Sequence, residues 1–254
     1  MSKTIPFFPD ADVLALMQKM DSFRKSLNAK QKKDFDELVE FLLSFSPEED
    51  WEDDEDDEVN DGSMFVPGIV PRRLTLKVQL KNVKPAVWRK LEVPSAMTLE
   101  ALSDVINIAM GWTGGHLHGY RNKQRSFEEE DEVETAVGEV LIRKGDKITY
   151  EYDFGDSWEH WVELVADPVP GKDRGVRLVS GKNACPPEDF GGPWYYTDFL
   201  QAWLNHDRKA LKGEFAETME WLEASFDPTE FDVIPFQEAL DDYMASGGCS
   251  GLPF

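Results

Sequence analysis

The stretch YEYDFGDSWEHWVEL, residues 150–164, constrains the fold of this chain more than any other. Large apolar residues alternate with polar ones on both sides of a Gly-Asp-Ser turn. A period of two is typical of strands with one buried face, so the stretch predicts a β-hairpin. A three-residue loop that pairs Tyr152 with His160 keeps the large apolar residues, except Trp161, on one face. We therefore predict that register.

The predicted register gathers acids on the other face of the hairpin. Asp153 then lies opposite Glu159, with Asp156 beside them at the turn, while His160 points to the core side. Facing carboxylates repel each other unless they are fully hydrated, protonated or matched by a cation. Two interpretations stay open. The acids and serine could simply bond their own backbone in a well-made turn, or the cluster could bind a ligand or a metal ion.

The remaining patterns place this hairpin in an α+β fold. LTLKVQL and VWRKLEV predict two strands, and residues 98–111 predict a helix capped by Thr98 and ended by Gly111. HLHGYRN predicts a short strand, residues 122–138 a polar loop, and the chain from Thr197 onward a series of helices. The expected architecture is a mixed or antiparallel sheet with one helix across it, similar to a β-grasp sheet, followed by C-terminal helices.

Three segments are predicted along the chain. Residues 1–46 show helical spacing of apolar residues on both sides of a break near residues 26–28, which indicates a helical hairpin. Residues 47–70 are predicted to be a disordered acidic linker, because eleven acids and no base fall within residues 47–62. Residues 71–254 are predicted to form the main α+β domain.

The net charge of −23 argues against direct binding to nucleic acid, which needs a basic surface. No apolar run approaches the roughly 20 residues of a membrane helix, and no secretion signal is expected at the N-terminus. The sequence contains two cysteines, which argues against a disulfide framework. These features predict a cytoplasmic protein without membrane contact.

Two further stretches carry candidate site residues. In GGHLHGY, His116 and His118 would share a face if both lie on one strand, a spacing that suits two ligands of one metal ion. In ACPPEDFGGPWYY, prolines and glycines hold Cys185, Glu188 and Asp189 on a stiff loop. The acidic neighbours of Cys185 are expected to raise the pKa of its thiol and to disfavour a nucleophilic role. Structural roles for both stretches remain open alternatives.

Signature motifs of nucleotide-binding proteins and of common hydrolases are missing from the sequence. Instead VWRKLEVP, HLHGY, YDFGDSWEH, CPPEDFGGPWYY and FDPTEFD occur in that order and resemble the plasmid pRiA4b ORF-3-like family over residues 72–235. The resemblance implies an α+β fold and no established reaction. One departure from the family pattern is Trp194, which stands where a small residue is expected.

The resemblance also implies a set of motif positions: His116, His118, Asp153, Asp156, His160, Cys185, Glu188 and Asp189. Members of the family are similar to proteins encoded on plasmids and insertion elements, sometimes under a recombinase-like label. The charge of −23 and the lack of clustered arginines give that label no chemical support.

Three functional hypotheses follow. The first is a non-catalytic binding module whose polar groove is formed by the HLH strand, the DFGDSWEH turn and the CPPEDFGG loop, and which receives a protein or small-molecule ligand. The second is a hydrolase that uses a divalent transition metal, with Asp153 or Glu188 as general base. Its metal ligands would come from His116, His118, His160 and Cys185. The third is an accessory protein of a plasmid or transposable element. The complete candidate polar site is His116, His118, Tyr152, Asp153, Asp156, Glu159, His160, Cys185, Glu188 and Asp189.

Overall fold

The structure is a computed structural model that describes residues 24–28, 30–33, 35–36, 39, 64–222 and 225–248. The chain divides into two units, Met1–Asp57 and Glu58–Phe254. Among the described residues, no helix combines the length and the apolar character needed to cross a membrane.

The described part of the first unit contains helical residues on both sides of a break at Leu27 and Asn28. Asn28 begins the second helical stretch: its side chain accepts from the Gln31 N–H, and the Gln31 side chain accepts from the Asn28 N–H. This reciprocal pair is a capping box, and it lies where the sequence predicted the break. Most of the predicted hairpin and the acidic segment up to residue 63 lie outside the described residues.

The second unit is built on one sheet. Its strands are β1 Arg72–Leu80, β2 Trp88–Pro94, β3 His118–Arg121, β4 Ser126–Phe127, β5 Lys147–Tyr152, β6 Trp158–Leu164, β7 Val169–Pro170 and β8 Arg177–Lys182. The strand order is β4-β3-β5-β6-β1-β2-β8, with β7 beside one end of β1. All pairings among these strands are antiparallel.

The helices of the second unit are α1 Leu99–Met110, α2 Glu129–Glu134, α3 Val137–Val140, α4 Gly192–Leu204, α5 Arg208–Lys212, α6 Ala216–Trp221 and α7 Ile234–Ala245. The Thr98 side chain accepts the Ala101 N–H at 3.0 Å, and Gly111 ends α1 with φ at 89°. Both predicted ends of this helix are confirmed. α1 is buried against the sheet, and α7 joins it through the Tyr243 hydroxyl, which donates to Asp104. The predicted α+β class, with C-terminal helices, is confirmed.

Three local predictions are corrected. Residues 122–138 are not one loop, since they contain β4, α2 and the start of α3. α4 begins at Gly192, so Thr197 lies inside the helix and its hydroxyl donates to the Asn82 carbonyl. β8, which follows a polar stretch, was not predicted; it extends the sheet beside β2.

The hairpin of β5 and β6 has a different register from the one predicted. Tyr152 pairs with Trp158, and Tyr150 pairs with His160, so the loop is five residues long. The Asp153 carbonyl accepts the Ser157 N–H at 2.6 Å and its carboxylate accepts the Gly155 N–H at 2.9 Å, which closes the longer loop. The register differs by two residues, which leaves the residues of β5 and β6 on their predicted faces. His160 therefore lies in the core, as predicted, with no exposed surface. Asp153 and Phe154, predicted to be paired in the ladder, lie in the loop instead, where Phe154 is exposed.

Candidate functional site

Three connecting segments meet at one end of the sheet: the loop before β3, the β5–β6 turn and the loop before α4. Glu188, in the loop before α4, joins that loop to the loop before β3 and to β5. Its carboxylate accepts from the Thr113 N–H at 3.0 Å and from the Thr113 hydroxyl at 2.7 Å. It also accepts from the Tyr152 hydroxyl at 2.5 Å. Trp112 makes a parallel connection. Its indole N–H donates to the Pro186 carbonyl in the loop before α4, and its ring stacks on that of Tyr152, with centroids 4.9 Å apart.

A second connection holds the loop before α4 against the β5–β6 turn. The Asp156 carboxylate accepts the Gly191 N–H at 2.8 Å. Gly192 has φ at 86°, and a Cβ placed there would lie 2.9 Å from the Asp156 backbone oxygen. Both the positive φ and the short distance to Asp156 exclude a side chain at this position. Gly192 therefore permits the close approach of the two loops.

His116 lies between the two loops. Its Nδ1 is 3.8 Å from Asp153 Oδ2, and its Nε2 is 3.6 Å from Asp189 Oδ1. Its ring stands edge-on to Tyr152, with centroids 5.7 Å apart. The side chain of Asp153 is 13% exposed, whereas that of Asp189 is 81% exposed. The cluster therefore opens to solvent on the Asp189 side.

His118 lies in different surroundings, because β3 begins only at His118 and His116 belongs to the loop before it. The two imidazoles therefore do not share a strand face as the sequence predicted. His118 Nε2 is 3.1 Å from Glu132 Oε2 on α2, and the other oxygen of Glu132 accepts the Tyr120 N–H. Burial acts to lower the pKa of His118, but the hydrogen bond and charge of Glu132, together with the charges of Asp104 and Glu100, outweigh it, and the net pKa is raised.

The remaining predicted metal ligands lie in the core. His160 contacts the rings of Trp112 and Tyr150, and burial lowers its pKa to about 3. Cys185 is buried, and its thiol pKa is raised by burial, while the charge of Arg89 opposes the shift. The sequence predicted the direction of this shift but attributed it to acidic neighbours. His116, His118, His160 and Cys185 thus do not form a common ligand set in the part of the chain that is described.

A groove beside this cluster has a volume of about 690 Å³. The loop of residues 114–117, β3 and Phe154 form one side of it, and residues 126–132 form the other. The CPPEDFGG loop does not line it, which corrects the predicted third wall of the groove. Sequence reasoning missed Glu132, which makes the polar contacts of this second wall. Its acidic segment resembled a loop, although Glu128 and Asp131 have the three-residue spacing of a helix cap.

Facing acids do occur on the hairpin, but they are Glu151 and Glu159 and not the predicted Asp153 and Glu159. Arg121 on β3 forms ion pairs with both carboxylates, and Lys81 lies 2.5 Å from Glu159. Basic neighbours, one of the alternatives that the sequence left open for facing acids, are therefore present. Arg121 lies on β3 and Lys81 directly follows β1, so neither belongs to the hairpin sequence.

Replacing Arg121 by Gln is expected to lower the free energy of unfolding by about 1 kcal/mol, because Glu151 and Glu159 would then repel across the ladder. Urea denaturation at low salt measures this loss. A second change, Glu151→Gln, is expected to restore most of it. Lys147→Gln, which removes a cross-strand pair with Glu163 and a contact with the Trp161 ring on the same ladder, is the matched control. Equal losses in the two single variants would show that Arg121 has no special role.

Three comparisons with known proteins agree on the relationship of this chain. The family described as plasmid pRiA4b ORF-3-like protein matches residues 72–234. The uncharacterized protein y4hQ of Sinorhizobium fredii (strain NBRC 101917 / NGR234) is 35% identical over 185 residues, which cover 67% of this chain and 91% of y4hQ.

A solved structure adds a similar fold. It is the crystal structure of a protein of unknown function, MM3350 from Methanosarcina mazei Go1, which is 29% identical with a TM-score of 0.55. The similarity covers 65% of this chain and 96% of that one. The region that the family matches, residues 72–234, contains the sheet, α1 and the loops that meet beside His116. The chain belongs to the family of plasmid pRiA4b ORF-3-like proteins.

Proposed function

We propose that this protein is a non-catalytic binding module that receives a basic, partly apolar peptide segment of a protein partner. The observation that supports this most directly is the groove of about 690 Å³ between β3 and α2, whose lining combines glutamates with exposed apolar side chains. Its size lies within the range of ligand sites in proteins.

The groove has an excess of negative charge. Glu132 and Glu151 are matched by His118 and Arg121. The other acids of the lining are Glu100, Glu128 and Glu129, which are exposed and pair with no Lys or Arg of the described residues. A ligand with lysine or arginine side chains would be attracted there, whereas phosphate groups of a nucleic acid would be repelled.

Exposed apolar side chains lie beside these acids. Leu117 is 74% exposed and Phe154 is 56% exposed, although each is large enough to favour burial. The Phe154 ring lies over Gly119, where an added Cβ would be 3.6 Å from it. Apolar residues next to a charged surface are typical of the anchor points at which protein partners dock.

The backbone of β3 favours an extended segment as the occupant. β4 pairs with Tyr120 and Arg121 only, so His118 and Gly119 have no strand partner on that side among the described residues. An extended peptide could add to this short edge and direct alternate side chains into the groove. This geometry favours a peptide over a compact small molecule.

The surrounding polar groups favour binding over nucleophilic chemistry. Burial raises the pKa of the Cys185 thiol, and burial together with Glu188 raises the pKa of the Tyr152 hydroxyl. Both groups stay protonated at neutral pH and are poor nucleophiles. An accessory role in a plasmid or transposable element would operate through the protein partner.

Selection from a random phage-displayed peptide library on the full chain tests the proposal. The expected result is enrichment of peptides that combine lysine or arginine with leucine or aromatic residues. Fluorescence polarisation then measures their affinity for variants. Glu129→Lys is expected to weaken binding about tenfold, since it reverses one charge inside the groove.

Glu130→Lys is the matched control, because it makes the same charge change on the same helix with a residue that does not line the groove. It is expected to leave the affinity nearly unchanged. Leu117→Ala tests the apolar contribution at an exposed position. Enrichment of acidic peptides, or equal effects of Glu129→Lys and Glu130→Lys, would refute the groove as the binding site.

A further inference from the structure

The cluster of His116, Asp153 and Asp189 has the donor set and spacing of a metal site. One ligand atom from each residue lies within 4.8 Å of the others, and this is the one such group of three among the described residues. Two ligand atoms of a tetrahedral zinc ion lie about 3.4 Å apart, since the bonds to nitrogen and oxygen are about 2.1 Å long. The three atoms are spaced more widely than this, and the Asp189 side chain, which is 81% exposed, has room to move toward the other two.

The carboxylates around the cluster also have no lysine or arginine partner among the described residues. The two loops bring together Asp153, Asp156, Glu188 and Asp189, and no Lys or Arg of the described residues pairs with any of the four. The neighbouring acids on the strands differ, because Arg121 and Lys81 neutralise them. Grouped carboxylates that have no basic partner favour the binding of a cation.

The Asp153 carboxylate has one oxygen left for such a cation. Its Oδ1 accepts the N–H groups of Gly155 and Asp156 in the turn. Its Oδ2 faces His116. The turn thereby fixes the carboxylate and directs the second oxygen toward the imidazole.

We propose that His116, Asp153 and Asp189 bind one divalent transition-metal ion at the junction of the two loops. The imidazole nitrogen favours an ion such as Zn²⁺, Co²⁺ or Mn²⁺ over Ca²⁺ and Mg²⁺, which take oxygen ligands almost exclusively. Three protein ligands leave at least one coordination position for water or for a ligand. His116 also lines the groove, so the ion would lie beside it.

Titration of the untagged full chain, after treatment with a chelator, tests the site. Calorimetry with ZnCl₂ and visible absorption with CoCl₂ are expected to show one equivalent of tightly bound ion. His116→Gln and Asp189→Asn are expected to weaken binding at least about tenfold, since each removes one ligand of the ion. Circular dichroism of each variant shows whether it remains folded. Both positions are partly or fully exposed, so folding is expected to be preserved.

Two variants serve as matched controls. His206→Gln removes an exposed histidine, and Asp198→Asn removes an exposed carboxylate, both outside the cluster. They are expected to bind the ion as the unaltered chain does. Metal ions bound only by carboxylate oxygens of the acidic residues 47–62 would add to the measured number of bound ions. That added number would be the same in His116→Gln. Absence of saturable Co²⁺ binding, or equal binding in His116→Gln, would overturn the proposal, and neither result depends on peptide binding in the groove.

Discussion

Replacement of Arg89 by Met is expected to lower the free energy of unfolding by about 3 kcal/mol or more. The Arg89 side chain is completely buried on β2. Its Nε donates to the Ala109 carbonyl at 2.8 Å, and its Nη1 donates to the carbonyls of Trp88 and Asn183 at 3.0 Å. Its guanidinium lies over the Phe231 ring, 3.7 Å from the centroid.

The expected loss has a specific origin. Ala109 lies in the last turn of α1, where helix carbonyls need partners from outside the helix, and Asn183 lies just after β8. Methionine fills similar space but donates no hydrogen bond, so these buried carbonyls would lose their partner. Burial lowers the pKa of Arg89 to about 10, with Cys185 and Tyr196 opposing the shift. The side chain therefore remains charged at neutral pH and donates strongly.

Chemical denaturation of Arg89→Met measures this effect. Arg177→Met is the matched control, because Arg177 lies on the adjacent β8 with a side chain that is 69% exposed. It is expected to change the free energy of unfolding by about 0.5 kcal/mol or less. Arg89→Lys is expected to cause most of the loss in free energy of unfolding that Arg89→Met causes. The single ammonium group of lysine cannot reach the three carbonyls that the forked guanidinium contacts. A stable Arg89→Met variant would show that other groups or water satisfy the carbonyls.

Stability is expected to fall by about 2 kcal/mol between pH 7 and pH 5 because of His160. Neither ring nitrogen of His160 has a hydrogen-bond partner among the described residues. Burial lowers its pKa to about 3; the nearby backbone of Tyr150 and Trp158 opposes this shift, and the charge of Arg89 adds to it. The unfolded chain has the ordinary histidine pKa of about 6.5.

The direction of the pH dependence follows from these two pKa values. Between about pH 6.5 and pH 3 the unfolded chain binds a proton at His160 that the folded chain does not bind. The stability is therefore fully present above about pH 6.5 and is lost progressively as the pH falls toward 3. Each pKa unit of difference corresponds to about 1.4 kcal/mol.

His160→Phe tests this prediction, because it keeps an aromatic ring in the same pocket and removes the titrating group. Urea denaturation measures the free energy of unfolding of both proteins from pH 7 to pH 5. In the variant this free energy is expected to depend less on pH, and its fall between pH 7 and pH 5 to be smaller by about 2 kcal/mol than in the unaltered chain. His206→Asn, which changes an exposed histidine, is expected to retain the slope of the unaltered chain. Parallel curves for His160→Phe and the unaltered chain would contradict a buried neutral imidazole.

Local patterns in the sequence determined the strands and helix ends that depend on few neighbours. The alternation in β1 predicted its buried face, since side chains on a strand point to opposite sides whatever its partner. Thr98 and Gly111 predicted the ends of α1, because caps act within one turn of the helix. The core position of His160 could also be predicted, since a register shift of two residues leaves the face unchanged.

The tertiary structure decided which side chains meet. The partners of Glu159 are Arg121, which lies on β3, and Lys81, which directly follows β1, so the hairpin sequence could not reveal them. Whether His116 and His118 converge depended on the residue at which β3 begins, and element boundaries are set by packing and hydrogen bonds across the sheet. Sequence patterns encode local periodicity, whereas the groove and the cluster around His116 depend on contacts between residues far apart in the chain.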